Sequence, residues 1–460
     1  MKAQNPAEET ALRVTAHLRT QGMNGRVVLP GDTAYESARK VFNAAVASRP
    51  ALFAFCANAR DVQATVRTAR AHGLSLSVRG GGHDWAGRAL RHEGIVIDLT
   101  SMRGVTVDSE ARVATIEGSA TVADVLAVTT PLGLTAVTAA VSSVGMVGFT
   151  LGGGYGPLSP KFGLAVDNLI GAELVLANGE RVTVNAVENT ELFWAIRGGG
   201  GNFGVVTSIR VRLHLVDRVS VAAIAFPWAN VRTTLQDYAE FVATTPDELT
   251  TIPGLGSGPD GALSMMLAAV WCGEPEHAER IFAQLGGLGK SSMVQVAEMS
   301  CAEMLALFEN NFVEGRSYAV ETRSLTFLNA EVIERFTQAI ENRTSPYSSL
   351  AWHHCHGLPT RIPDGATSFG FRDEHFMVDL VATWDPESRD REHFHWQWVR
   401  ELSQAVAPMS LPGGYPNMLG PNAIDQIPYA YGTNITRLQR VKKQFDPDDI
   451  FSSAIPLLRG

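Results

Sequence analysis

Three glycine clusters, each set beside an apolar run, constrain this chain more than any other feature. The first is Ser77-Val78-Arg79-Gly80-Gly81-Gly82-His83, at the end of the short alternating run Leu74 to Val78. The second is "VGMVGFTLGGGYG", Val144 to Gly156, and the third is "WAIRGGGGNFGVVTSI", Trp194 to Ile209. Consecutive glycines cost backbone entropy, so a chain keeps them where φ must be positive or where something lies against the backbone. Exposed N–H groups in such a turn form a concave anion site suited to a pyrophosphate. Alone, the first cluster fits equally well a flexible turn followed by a surface histidine. Three clusters in the first half of the chain point to several loops converging on one extended ligand. None is a GxGxxG opening a helix after a strand, and no Lys-Ser/Thr follows Gly152, Gly153 and Gly154. A simple dinucleotide fingerprint and a P-loop therefore both fit poorly.

Local patterning frames the first cluster. "ALFAFC" reads as a buried strand, and "NARDVQATVRTARAHG" as a helix capped by Asn58 or Asp61, with Val62, Val66 and Ala69 on one stripe and Gly73 as its stop. "LSLSV" then reads as a strand. Residues 12–50 read as mostly helical, with "AYESARKVFNAAVASRP" ending at its proline. "GIVIDL", "GVTVD" and "VATIEG" are short strand candidates, and "TVADVLAVTTPLG" is a further helix. From about residue 216 the pattern changes. Strand runs ("VSVAAIAF", "LSMMLAAVWC", "HFMVDLVATW") alternate with long amphipathic helices ("VIERFTQAIEN", "HFHWQWVRELSQAV"), which implies an antiparallel sheet with helices on one face. The fold class expected is α+β.

Composition bounds the function. The chain has 460 residues, enough for two domains. Its 38 basic and 47 acidic residues give a net charge of −9, which argues against a nucleic-acid or acidic-membrane partner. The densest basic run, Arg437–Phe445, places Leu438, Val441 and Phe445 at helical spacing and reads as one face of an amphipathic helix. Residues 1–25 are polar and charged, without the apolar core of a signal peptide. No apolar run approaches the roughly 18–20 residues of a membrane span. Cys56, Cys272, Cys301 and Cys355 are scattered and read as reduced thiols of a cytoplasmic protein. By composition, disorder is expected in about the first ten residues at most.

Four blocks carry a family resemblance: "SVRGGGHDWAG", "VGMVGFTLGGGYGPLSPKFGLAVDNLIGAELVLANGE", "ELFWAIRGGGGNFGVVT" and "RLQRVKKQFDPDDIF". In this order they resemble the berberine-bridge-enzyme-like FAD-linked oxidases, within the vanillyl-alcohol-oxidase/para-cresol-methylhydroxylase class. They cover most of residues 26–215 and 429–457; residues 216–420 match loosely. The resemblance implies a two-domain PCMH-type fold. Residues 1–215 and 419–460 would form the FAD-binding domain and 216–418 the substrate-binding domain.

The resemblance also assigns roles. His83 stands where the family bonds FAD covalently, beside Arg79, Gly80, Gly81 and Gly82 on the diphosphate. Val141 stands where the family's second, cysteine anchor would be, so a single covalent link through His83 is expected. Val144 matches the position governing oxygen access, and a small residue there goes with oxidase behaviour. Gly145, Gly148, Gly152, Gly153 and Gly154 would let backbone lie against the flavin, with Asp167 and Asn168 near it. Gly201, Asn202, Gly204 and Val205 would cradle the adenosine diphosphate, and the returning segment would bring Tyr431 and Asn434. Candidate catalytic residues are Tyr155, Tyr415, Asn417 and His354, with Tyr318 and Glu321 as weaker ones. Tyr415 would serve as a base only with its pKa lowered from about 10. On a strand, His354 and His356 share one face and His353 and Cys355 the other. No third ligand accompanies the HxH pair, so no metal is expected. Ala454 and Pro456 replace hydrogen-bonding residues that the family often has after "DPxxxF".

The function implied is hydride removal from a small amine, alcohol or phenol, with molecular oxygen as acceptor and hydrogen peroxide as product. A monomer or homodimer is expected. Two alternatives stay open at this level: an oxygen-independent dehydrogenase or cyclase, and an FAD-fold protein that binds without turnover.

Overall fold

The computed structural model describes residues 6–258, 260–309, 313–452 and 454–457. Ser453, within the divergent C-terminal segment, and residues 1–5 lie outside them. The described residues build a four-stranded, a five-stranded and a seven-stranded sheet, with a further two-stranded ribbon. In the first, the strands Leu52–Phe55, Ile95–Asp98 and Leu76–Arg79 lie parallel, with Arg26–Val28 antiparallel at one edge. Helix Ala59–Ala71 makes the crossover between two of these strands. The Asn58 side chain caps it by accepting from the N–H groups of Arg60 and Asp61, and Val62, Val66 and Ala69 form its buried stripe.

Residues 12–50 depart from the helical expectation. Helix Pro6–Thr20 begins inside the tail expected to be disordered, and beyond it only Tyr35–Ala38 is helical. Side chains capture the backbone instead. Asp32 accepts from Leu29 N–H, and Arg39 Nε donates to the Ser48 carbonyl. Asn43 donates to the carbonyls of Trp85 and Tyr318 and accepts from Tyr318 N–H. Such local and long-range bonds compete with a helix ladder.

The second sheet is five-stranded and antiparallel, in the order Val105–Asp108, Val113–Glu117, Val205–Arg212, Leu169–Val175, Arg181–Asn185. The third is seven-stranded and antiparallel, in the order Met293–Met299, Val219–Pro227, Leu263–Trp271, Leu249–Ser257, Ser349–Cys355, His375–Trp384, Ser317–Leu325. Helices Val231–Val242, Pro275–Gly287, Ala330–Glu341 and Glu392–Val406 cover one of its faces. There Ile224, Leu267, Trp352 and Leu380 pack with Leu235, Phe282, Phe336 and Val399. Alternation then sends Met377 and Val381 to the opposite face, into clusters shared with the first half of the chain.

Helix Ile435–Phe445 brings the chain back, burying Leu438 and Val441. Its Arg437 pairs with Glu191 and lies over the Trp194 ring at 3.9 Å. The halves are also joined by a buried ion pair. Arg372 donates to both oxygens of Asp167, at 2.9 and 2.7 Å. Removing one partner leaves the other charge uncompensated in the interior. Asp167→Asn should therefore lower stability by about 3–5 kcal/mol, read as a lower urea midpoint; an unchanged midpoint would contradict this.

Candidate flavin site

The site starts from a contact between two backbones. A Cβ on Gly81 would lie 2.5 Å from Gly145 N, and one on Gly145 would lie 2.7 Å from Gly81 N. The first and second glycine clusters thus meet with no space for a side chain on either. Two residues on, His83 enters an aromatic box. It stacks on Phe42 with centroids 3.8 Å apart, and Trp85 and Tyr318 close the box edge-on or in parallel against Phe42. His83 Nε2 is buried with no hydrogen-bond partner. Burial pushes the imidazole down to about 4, so the ring is neutral at physiological pH.

Around this junction the loops leave open space. Nothing lies within 4 Å of a Cβ built on Gly148 or Gly201. Gly152 faces Asn417, and Gly154 N–H donates to the Tyr415 hydroxyl at 3.0 Å. Gly204 lies against the Val175 carbonyl. Val205 opens the central strand of the second sheet, and Val144 is half-buried beside the Gly145 turn. An orphaned imidazole nitrogen next to glycine-lined loops fits a flavin nucleotide.

Several expected cofactor contacts are spent inside the protein. Arg79 turns away from the cradle, because its guanidinium pairs with buried Asp98 and with the Ala38 carbonyl. Asp167 is held by Arg372. Asn168 donates to the carbonyls of Phe162 and Leu164, and its Oδ1 meets His214 Nε2. Asn202 donates to Gly199 O, Ile455 O and the Tyr431 hydroxyl, and Tyr431 donates to Ile455 O. Asn434 faces Thr367 O. These side chains shape the loops. The Ile455 carbonyl ties the C-terminal segment to the third cluster, which explains how Ala454 and Pro456 are accommodated without hydrogen-bonding side chains.

The catalytic candidates sort by sheet face. His354 stacks on Phe376, a residue of the helix-side core, and its Nε2 meets Glu374. It therefore points away from the flavin side, and His353 and Cys355 occupy the face that His354 was expected to hold. Glu321 likewise alternates with Tyr318 and Val320, which are on the flavin side, and so falls on the helix side. Tyr155 is buried, with its hydroxyl 2.9 Å from His375 Nε2. Asn417 donates to Phe149 O and to the Tyr415 hydroxyl. Burial pushes Tyr415 up to about 12, so it is not a base by itself.

One acidic residue outside the sequence candidates also lies on this face. Asp379 lies between Met377 and Val381 on the flavin-side face of its strand, and its Oδ1 is buried without a partner. Burial alone raises it to about 7. Its signal in the sequence was the lone acid in the run "HFMVDLVATW". Phe42 and Trp85 were also missed, although Trp85 stands inside the quoted histidine motif.

A glycine-lined flavin cradle roofed by an antiparallel sheet defines an FAD-dependent oxidoreductase. Comparison with known proteins agrees. Residues 50–185 match the model of an FAD binding domain, and 426–455 that of the berberine and berberine-like family. The (R)-6-hydroxynicotine oxidase of Paenarthrobacter nicotinovorans is 31% identical over 448 residues, covering 93% of this chain and 95% of that protein. The xylooligosaccharide oxidase of Thermothelomyces thermophilus is 28% identical, covering 92% and 90%. The crystal structure of 6-hydroxy-D-nicotine oxidase from Arthrobacter nicotinovorans superposes with a TM-score of 0.87 at 29% identity, covering 95% of this chain and 98% of that one. The chain belongs to the berberine-bridge-enzyme-like family of FAD-linked oxidoreductases.

Asp379 also has a stability signature. Its folded pKa lies above its unfolded value of about 4, so the folded state binds the extra proton between these values. Its contribution is full below about pH 4 and is lost as pH rises through about 7. Asp379→Asn should match the wild type in melting temperature at pH 4 and exceed it at pH 8. Equal melting temperatures at both pH values would contradict the raised pKa.

Proposed function

We propose that this protein is an FAD-dependent oxidase acting on a small, secondary-metabolite-type amine, alcohol or phenol, with FAD tethered through His83 alone. The observation that carries the reading is Asp379: a half-buried carboxyl, its Oδ1 buried without a partner, on the sheet face that roofs the flavin cradle. Bound FAD would supply a two-electron acceptor for a hydride, with molecular oxygen as the terminal acceptor and hydrogen peroxide as product.

The chain's residues handle the proton. An amine or alcohol H–X–C–H, with X nitrogen or oxygen, loses its X–H proton to Asp379 as the C–H hydride leaves, and forms C=X; a para-alkyl phenol loses its O–H proton as the benzylic hydride leaves, and forms a quinone methide. Tyr415 assists as a donor. Its oxygen already accepts from Gly154 N–H and Asn417 Nδ2, which leaves its own proton to give. The aromatic and apolar surroundings exclude water and hold a compact substrate. Small, half-buried Val144 supports access of oxygen. The neutral, orphaned His83 nitrogen supports the tether, and Val141, with no thiol, supports there being only one.

Anaerobic mixing with (R)-6-hydroxynicotine and a panel of amines, alcohols and phenols tests the activity. Bleaching of the flavin band, recovery on aeration and one peroxide per turnover are expected; slow recovery in air would contradict an oxidase. The bleaching rate should rise with pH through about 7 and level off above it, following the ionised form of Asp379. In Asp379→Asn the rate should fall about 10²–10⁴-fold and lose that pH dependence. A variant with the wild-type rate would exclude Asp379 as the base. His83→Ala should release its flavin on acid precipitation, whereas flavin that stays with the precipitate would contradict the tether.

A further inference from the structure

Phe369 belongs to the substrate-side half of the chain, yet it is wedged among the flavin loops. A Cβ on Gly198 would lie 2.2 Å from Phe369 N, and one on Gly153 would lie 2.6 Å from Phe369 Cε2. Both glycines also hold φ values closed to other residues, +125° and +123°. The second and third glycine clusters therefore close on one residue delivered from the other half. Phe369 N–H donates to the Arg197 carbonyl at 3.1 Å, and Ser368 Oγ donates to Ala195 O at 2.8 Å. The N–H groups of Gly198 and Gly200 both donate to the Leu151 carbonyl, joining the third cluster to the second. The ring stands edge-on to Tyr155 and Tyr415, with centroids 6.2 and 6.4 Å away. It is 1% exposed, and the guanidinium of Arg372, itself paired with Asp167, lies 5.2 Å from its centroid.

We propose that Phe369 is a positioning residue for the cofactor: the substrate-side half completes the FAD site by supplying the wall against which both glycine loops close. The inference rests on the reading that these loops hold FAD. It acts through the loops and needs no contact between Phe369 and the flavin. By linkage, whatever orders Phe369 tightens FAD binding, and bound FAD orders the Tyr155–Tyr415 aromatic set by the same factor. A truncated ring leaves a cavity into which the loops relax, with the loss set by how far they collapse.

A tether through His83 would hold flavin whatever the affinity of the loops, so the test is made in the His83→Ala protein, where FAD exchanges. FAD affinity is read by titration of added FAD with flavin fluorescence, per folded chain. The proteins compared are the His83→Ala parent and the same protein with Phe369→Ala, Phe369→Leu or Phe336→Ala added. Phe336, in the helix-side core, controls for the loss of a buried ring far from the loops. Phe369→Ala should bind FAD about tenfold more weakly than the parent, Phe369→Leu with intermediate affinity, and Phe336→Ala with the parent's affinity despite a lower melting temperature. Parent affinity in folded Phe369→Ala overturns the proposal. So does an equal loss in Phe336→Ala, which would make the effect one of general stability. If Phe369→Ala does not fold, Phe369→Leu decides: weaker binding supports the proposal and parent affinity overturns it. A wild-type protein that neither carries nor binds FAD would instead refute the underlying cofactor reading.

Discussion

The meeting of Gly81 with Gly145 is the constraint on which the rest of the site depends. Two backbones lie close enough that neither tolerates a Cβ. This places the end of strand Leu76–Arg79 against the start of helix Met146–Leu151. The buried Arg79–Asp98 pair fixes the strand from behind, which is why this arginine serves the scaffold and not the ligand. With the turn set, His83 has one place to go, the box of Phe42, Trp85 and Tyr318. Tyr318 belongs to the seven-stranded sheet, so the histidine's environment is finished only when the two halves are joined. Asn43 does part of that joining, bridging Trp85 and Tyr318 through its side chain.

Charge is distributed to match. The buried arginines near the site already have partners: Arg79 has Asp98, and Arg372 has Asp167. Arg323, on the helix side of the sheet, has Asp425. Asp379 has no such partner, and burial alone accounts for its raised pKa. A carboxyl left without a cation in an apolar wall is costly to the fold. It is suited to taking a proton near neutrality. Tyr415 and Tyr155 bring hydroxyls whose proton positions are set by Gly154, Asn417 and His375, so the polar groups around the cradle are oriented before a substrate arrives.

Much of this was legible in the sequence. The ordered glycine clusters gave the cofactor class. Helical periodicity marked the stripe of Val62, Val66 and Ala69 and the returning helix with Leu438 and Val441. What period-two reasoning lacks is an origin: it pairs His354 with His356 but does not say which face meets the flavin, and the structure put that pair on the helix side. The same alternation hid Asp379, which reads as one polar residue in a buried strand until the neighbouring face is known. The loop after Tyr35 looked helical because its apolar spacing is helical, but Asp32, Arg39 and Asn43 hold its backbone elsewhere. The wedge at Phe369 lies 171 residues from Gly198 and leaves no local trace. Tyr155 was visible as an aromatic inside a glycine cluster, but its bond to His375 spans 220 residues.

The central claim is that the converging loops hold one FAD and that His83 is its sole tether. Mass spectrometry of the denatured protein, followed by peptide mapping, tests this most directly. The account predicts a chain heavier by one FAD, with the whole added mass on the peptide containing His83. A bare chain, or flavin attached to any other residue, would contradict it.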